Sequence, residues 1–110
     1  MARKTPEGRF AEEFCGDLER LFPGCVILKN DEQLLQGVPD RLLLWGPHWA
    51  MLEFKAHEKA SVRPNQQYYI ELFGEMSFAA FVYPENKEEV LDAIQHAFGA
   101  RRSARISKRK

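Results

Sequence analysis

The stretch RLLLWGPHWAMLEFK, residues 41–55, contains the clearest pattern of secondary structure in the sequence. Its two apolar runs, 41–45 and 49–55, favour strands, and the Gly-Pro-His between them is typical of a turn. The pattern therefore predicts a β-hairpin. A turn centred between Gly46 and Pro47 gives the hairpin a definite register, and this register determines which side chains face each other.

Helix and strand patterns on both sides of the hairpin complete the predicted domain. They indicate further elements at these positions: helices over 9–22, 64–74 and 86–98, and strands over 25–29 and 78–83. The nearly all-apolar strand 78–83 is expected to be buried on both faces. If it runs parallel to strand 49–55, the crossover between them should be right-handed. The order α-β-β-β-α-β-α predicts an α/β fold, a sheet flanked by helices.

Length and composition limit the classes of protein to consider. A chain of 110 residues with 45% hydrophobic residues predicts one globular domain rather than a disordered protein. No apolar run approaches the roughly 18 residues of a membrane span, and the charged N-terminus does not resemble a secretory signal. Cys15 and Cys25 lack the spacing of a zinc site. We therefore expect a cytoplasmic protein with reduced thiols and no membrane partner.

The charge is distributed unevenly along the chain. The segment 101–110, RRSARISKRK, holds six basic residues and no acid, which leaves residues 1–100 with a net charge of −6. We expect one domain over residues 1–100 and a basic tail over 101–110. A basic tail on an acidic domain is typical of a polyanion-binding protein, although a tail that only increases solubility is equally compatible with the sequence.

The predicted register brings charged side chains together at the open end of the hairpin. Asp40 lies opposite Glu53, and directly opposed Cβ atoms are about 4.5–5.5 Å apart. Two carboxylates at that distance repel each other unless a cation lies between them, and oxygen ligands suit Mg²⁺ or Mn²⁺. Lys55 points to the same face as Glu53, whereas Leu52 and Phe54 point to the core. The alternative is a hairpin whose polar face carries ordinary exposed residues.

These residues also carry a family resemblance. Residues 37–40 (GVPD) and 53–55 (EFK) look like the signature of the PD-(D/E)XK nuclease superfamily. The following PNQQY at 64–68, Gly74 and the strand 78–83 are similar to the compact VRR-NUC branch, so the resemblance covers nearly the whole domain. It implies a restriction-endonuclease-like αβββαβ core with an extra C-terminal helix, and hydrolysis of DNA phosphodiester bonds.

The resemblance also implies roles for individual residues. Asp40 and Glu53 would bind Mg²⁺ or Mn²⁺ together with the backbone carbonyl of Phe54. Lys55 would orient the attacking water or stabilise the phosphate in the transition state. Gln66 would match the helical glutamine of the branch and position the water or the lysine.

Two of the implied positions have alternatives. Gln67 is next to Gln66 and could take its place, and Gln66 could be a plain surface amide. The superfamily often adds an acid from the first helix, for which we predict Glu13 as a further catalytic and metal-binding residue. Solvent exposure without a role is the alternative for Glu13, as for the other acids of that helix.

The predicted function is that of a metal-dependent DNA endonuclease. Phosphate contacts are expected from these basic side chains: Lys59, Arg63, Arg101, Arg102, Arg105, Lys108, Arg109 and Lys110. The resemblance favours a homodimer that cuts four-way (Holliday) junctions or other branched DNA, and a phage, bacterial or mobile-element source would suit it. A general or restriction-like nicking endonuclease and a catalytically inactive nucleic-acid-binding module of the same fold are the alternatives.

Overall fold

Four strands form one mixed sheet, and three α-helices flank it, in a computed structural model that describes residues 5–99. The helices are α1 (Pro6–Leu21), α2 (Pro64–Met76) and α3 (Lys87–Ala97). The strands are β1 (Val26–Lys29), β2 (Arg41–Trp45), β3 (His48–Phe54) and β4 (Phe78–Val82). A 3₁₀ turn, Pro84–Asn86, leads into α3. The predicted α/β class and the predicted order of helices and strands are both confirmed.

The register of the hairpin agrees with the sequence prediction. Strands β1, β2 and β3 form an antiparallel meander, in which Arg41 pairs with Leu52 and Trp45 pairs with His48. One step beyond the end of β2, Asp40 therefore lies opposite Glu53. Strand β4 pairs with β3 in parallel, which meets the condition under which a right-handed crossover is expected, and the four strands lie in sequence order.

Helix α1 starts earlier than the apolar pattern indicates. Thr5 caps it, because its hydroxyl oxygen accepts a hydrogen bond from the backbone N–H of Gly8 at 3.0 Å. Pro6 occupies the first helical turn, where its missing N–H costs nothing. The predicted start at residue 9 is thus three residues late, and the additional turn brings Glu7 onto the helix.

The hydrophobic core lies between one face of the sheet and helices α1 and α3. The rings of Phe10 and Phe14 from α1 meet Phe54 from β3 edge to face, with centroids 5.9 and 5.5 Å apart. Helix α2 packs on the opposite face, where the ring of Phe73 contacts Trp49 of β3. At the other end of β3, Gln66 of α2 lies against Glu53, which is buried although it points away from the main core.

Strand β4 differs from its prediction. Only Val82 is buried, and residues 78–81 are half-buried rather than covered on both faces. The reason is that β4 forms the edge of the sheet, and an apolar run in the sequence does not show whether its strand is central or at an edge.

In the described part of the chain, Cys15 and Cys25 are free thiols, and no helix is both long and apolar enough to span a membrane.

Candidate metal centre

Asp40 is held at the open end of the hairpin by backbone contacts on both sides. Its carboxylate oxygen Oδ2 accepts a hydrogen bond from the backbone N–H of Phe54 at 2.9 Å. Its carbonyl accepts from the backbone N–H of Asn30, whose side-chain amide donates to the carbonyl of Pro39 at 2.8 Å. The side chain therefore reaches across to β3, toward Glu53.

Glu53 is the most unusual member of the pair. It is only 3% exposed, and one of its oxygens, Oε2, accepts a hydrogen bond from the side-chain amide of Gln66 at 3.1 Å. The other oxygen, Oε1, is buried without a hydrogen-bond partner among residues 5–99. Burial and the negative charge of Asp40 raise the pKa of Glu53 to about 8. Burial also raises the pKa of Asp40, against the effect of the Phe54 N–H.

A third carboxylate joins this pair from the loop between β1 and β2. One oxygen each of Glu32, Asp40 and Glu53 lie within 4.8 Å of one another. Oxygens that share an octahedral Mg²⁺ are at most about 4.2 Å apart, so small side-chain rotations would bring all three onto one ion. The donors are all carboxylate oxygens, the ligand type that hard divalent cations take. The sequence pattern does not reveal Glu32, because a polar loop has no periodicity from which to infer its direction.

The first helix also carries an acid, Glu7, that interacts electrostatically with the pair, while the predicted residue is Glu13. Glu7 is half-buried, and burial together with the charge of Asp40 raises its pKa. Glu7 in turn adds to the negative charge that acts on Glu53. Glu13 is exposed and lines a surface cleft beside Lys87. Glu7 therefore interacts electrostatically with the acidic pair, whereas Glu13 lies beside Lys87.

The sequence contains a signal for Glu7. It precedes Phe10 by three residues and Phe14 by seven, which places it on the same face of α1 as these buried rings. An acid that continues an apolar stripe at the start of a helix points toward the interior rather than toward solvent. The predicted helix begins at residue 9, so Glu7 lies before it and is not part of its apolar pattern.

Lys55 and Gln66 form a buried hydrogen-bonded pair beside Glu53. The ammonium of Lys55 donates to the side-chain oxygen of Gln66 and to the backbone carbonyl of Ser61, both at 3.0 Å. It lies 3.9 Å from the Glu53 carboxylate. Gln66 thus accepts from the lysine and donates to the glutamate. By contrast, Gln67 is exposed, and its amide donates to Glu71 on the same helix.

The loop before Asp40 packs directly against the start of α2. Gly37 adopts φ +91°, and a Cβ on this residue would lie 2.9 Å from atoms of Asn65. The side-chain amide of Asn65 donates to the carbonyl of Gln36 at 3.3 Å. The backbone N–H of Arg63 donates to the side-chain oxygen of Gln66 at 3.0 Å. These contacts fix Gln66 relative to the loop that carries Asp40.

The residues predicted to contact DNA have a mixed outcome. Lys59 and Arg63 are both exposed in the loop between β3 and α2. The guanidinium of Arg63 lies 3.9 Å from the carboxylate of Glu32. The six basic residues predicted within segment 101–110 lie outside the described residues.

Comparison with known proteins gives no further information. A scan against models of known protein families found no match, and searches of characterised proteins and of solved structures found none either. The chemistry of the site therefore has to be inferred from its geometry: three clustered carboxylates, a fourth acid nearby, and a buried ammonium held by an amide.

Proposed function

We propose that this protein is a metal-dependent DNA endonuclease that hydrolyses phosphodiester bonds with Mg²⁺ or Mn²⁺ bound by Asp40 and Glu53. The observation that carries the proposal is the buried Glu53 oxygen that lacks a hydrogen-bond partner in the part of the chain that the structure describes, beside a second carboxylate. A charged carboxylate with such an oxygen is costly to bury unless a cation lies in front of it or a proton neutralises it, and a divalent cation would offset the charge of both carboxylates. The resemblance of the GVPD and EFK segments to the PD-(D/E)XK signature supports this proposal, including a restriction-endonuclease-like core.

The residues around the acidic pair have separable roles in this proposal. A bound cation would acidify a water molecule and offset the charge on the phosphoryl oxygens. Asp40, Glu53 and the carbonyl of Phe54 would hold that cation. Lys55 would direct its ammonium at the phosphate; its hydrogen bonds go to the neutral oxygens of Gln66 and Ser61, and its charge is shared with the Glu53 carboxylate 3.9 Å away.

The proposed substrate is branched DNA, a four-way junction in particular, cut by a homodimer. One domain has one such centre, and two copies are the simplest way to cut two strands. Strand β1 lies at an edge of the sheet and exposes Val26 and Leu28 to about half of their full extent, which would suit a contact between copies. The exposed Lys59 and Arg63, with the basic tail, would bind phosphates.

The test is a cleavage assay with linear, nicked, flapped and four-way DNA in Mg²⁺. We expect Asp40→Asn, Glu53→Gln and Lys55→Met each to lower the cleavage rate by at least about a hundredfold. Asp40→Asn keeps an oxygen for the Phe54 N–H, so the hairpin should stay intact. Glu13→Gln is the matched control and should cut like wild type.

Three results would contradict parts of this proposal. Unchanged cleavage by Asp40→Asn would remove Asp40 from the active centre. No cleavage of any DNA by a wild-type protein that binds Mn²⁺ would favour the inactive binding module. Equal cleavage of all four substrates would contradict junction selectivity and would favour a general nicking endonuclease.

A further inference from the structure

Glu32 lies between two possible partners. Its oxygen Oε1 is 3.9 Å from a guanidinium nitrogen of Arg63, and one of its carboxylate oxygens is within 4.8 Å of oxygens on both Asp40 and Glu53. The side chains of Glu32 and Arg63 are 40% and 62% exposed. An exposed ion pair of this length contributes little, about 0–1 kcal/mol, so it can be broken at small cost.

The acidic side offers Glu32 a stronger interaction once a cation is present. Independently of the clustering of acids, the buried Oε1 of Glu53 has no hydrogen-bond partner within residues 5–99, which indicates a missing positive ligand at this point. A divalent ion bound there attracts any carboxylate in reach, and Asp40 and Glu53 alone leave most of its coordination positions to water. Glu32, in the loop between β1 and β2, has a carboxylate close enough to reach such an ion.

The backbone of Arg63 is anchored while its guanidinium is exposed. Its N–H donates to the side-chain oxygen of Gln66, which also accepts a hydrogen bond from Lys55, while the amide nitrogen of Gln66 donates to Glu53. The guanidinium can therefore leave Glu32 without disturbing the start of α2. Glu32 lies in the loop between β1 and β2, outside every strand and helix.

We propose that Glu32 is an exchangeable third carboxylate ligand, which is paired with Arg63 in the metal-free protein and binds the cation in the metal-bound protein. This inference rests on the proposed metal centre and adds a competitor to it. Arg63 opposes metal binding by holding Glu32, and the cation releases the Arg63 guanidinium to solvent beside the site. The coupling is reciprocal, as linkage requires.

The test is the Mn²⁺ dissociation constant of the full chain, measured by isothermal titration calorimetry. We expect Glu32→Gln to raise this constant about tenfold, the effect of losing one supporting ligand. Arg63→Gln should lower it by roughly two- to threefold, as the loss of a weak exposed pair implies. The effect of Arg63→Gln should disappear in the Glu32→Gln background. Lys59→Gln removes the same charge four residues away and is the matched control.

The outcomes separate this inference from the proposed function. If Asp40→Asn binds Mn²⁺ like wild type, the metal centre itself is refuted. If Asp40→Asn loses Mn²⁺ while Glu32→Gln binds it normally, only the role of Glu32 is refuted. If Arg63→Gln and Lys59→Gln have the same effect, net charge explains it and the exchange is refuted. Thermal melting in EDTA verifies that each variant is folded.

Discussion

Glu53 should bind a proton in the metal-free protein at neutral pH. Its pKa of about 8 means that the carboxyl group is mostly protonated at pH 7, because burial and the neighbouring Asp40 disfavour the charged form. A cation at this position has to displace that proton. Metal binding should therefore release protons and become tighter as the pH rises toward 8.

The same proton makes the stability of the metal-free protein depend on pH. The pKa of Glu53 is raised from an ordinary value of 4.5 to about 8, so between these values the folded state binds more protons than the unfolded state. Stability is then fully present below about pH 4.5 and is lost as the pH rises to 8. In EDTA we expect the melting temperature to fall by at least about 5 °C from pH 5 to pH 8, which corresponds to roughly 1 kcal/mol.

The control for this pH effect is Glu53→Gln, which mimics the protonated carboxyl group. It should show a smaller fall over the same pH range, and Mn²⁺ should raise the melting temperature of wild type at pH 8 but not that of the variant. Asp40 and Glu7, whose pKa values are also raised, would contribute in the same direction. A flat wild-type profile in EDTA would show that Glu53 ionises normally in the folded protein.

Glu7 and Glu13 provide a second comparison at the level of single residues. We expect Glu7→Gln to weaken Mn²⁺ binding by roughly two- to fivefold, because it removes a half-buried negative charge that acts on Asp40 and Glu53. Glu13→Gln, an identical change on an exposed part of the same helix, should leave Mn²⁺ binding unchanged. Calorimetry on both variants makes the comparison, and the opposite ranking would return Glu13 to the site.

Some residues of the candidate site can be predicted from sequence and others cannot. Asp40, Glu53 and Lys55 follow from hairpin register and strand alternation, which are local properties of the chain. The burial of Gln66 depends on how α2 packs on the sheet, and no periodicity states this. Glu32 lies in a loop, so its proximity to the pair is visible only in three dimensions.

Among the elements, the hairpin is predicted best and β4 worst. A two-residue turn fixes the register of β2 and β3 from the sequence between them alone. The burial of β4 depends on its place in the order of strands, and this order is determined by contacts between segments that are distant in the sequence. The exact start of α1 depends on the Thr5 cap, which the apolar pattern does not include.

The contact between the loop before Asp40 and helix α2 gives a prediction at the scale of elements. Gly37→Ala would place a Cβ 2.9 Å from Asn65 and would strain a backbone at φ +91°. We expect a loss of about 2–3 kcal/mol in the free energy of unfolding and slower cleavage, since the loop and Gln66 must separate. Urea denaturation and the cleavage assay measure the two effects.

The variant Gly24→Ala distinguishes the cost of backbone strain at positive φ from the cost of a steric clash with Asn65. Gly24 has φ +88°, close to that of Gly37, but a Cβ there would meet nothing within 4 Å. We expect it to cost only the backbone strain, about 1 kcal/mol, with normal cleavage. Equal losses of stability in the two variants would mean that the contact with Asn65 has no energetic weight.

For the whole molecule, the charge distribution assigns metal binding and DNA binding to different parts of the chain. A chain that ends at Ala100 lacks six basic residues and has a net charge of −6 instead of zero. We expect it to bind DNA more weakly and to reduce the slope of log affinity against log salt by up to about 5, since each phosphate contact contributes roughly 0.9. Filter binding over a series of salt concentrations measures this slope.

The metal affinity of the shortened chain is the matched control. Mn²⁺ binding should be retained, because every residue assigned to the metal centre lies between positions 7 and 66. An unchanged salt slope would show that the tail does not contact phosphates.

The meander of β1, β2 and β3 also has a consequence for the order in which the protein folds. Asp40, Glu53, Lys55 and Gln66 lie within 27 consecutive residues, so their contacts close short loops at low entropic cost. Sequence-local contacts tend to form early, whereas Glu7 arrives only when the N-terminal helix docks on the finished sheet. We expect pulse-labelling hydrogen exchange to protect amides of β2 and β3 before those of α1. Asp40 and Glu53, whose negative charges repel each other, would then come together early in folding. Cations in solution would therefore influence refolding from its earliest steps.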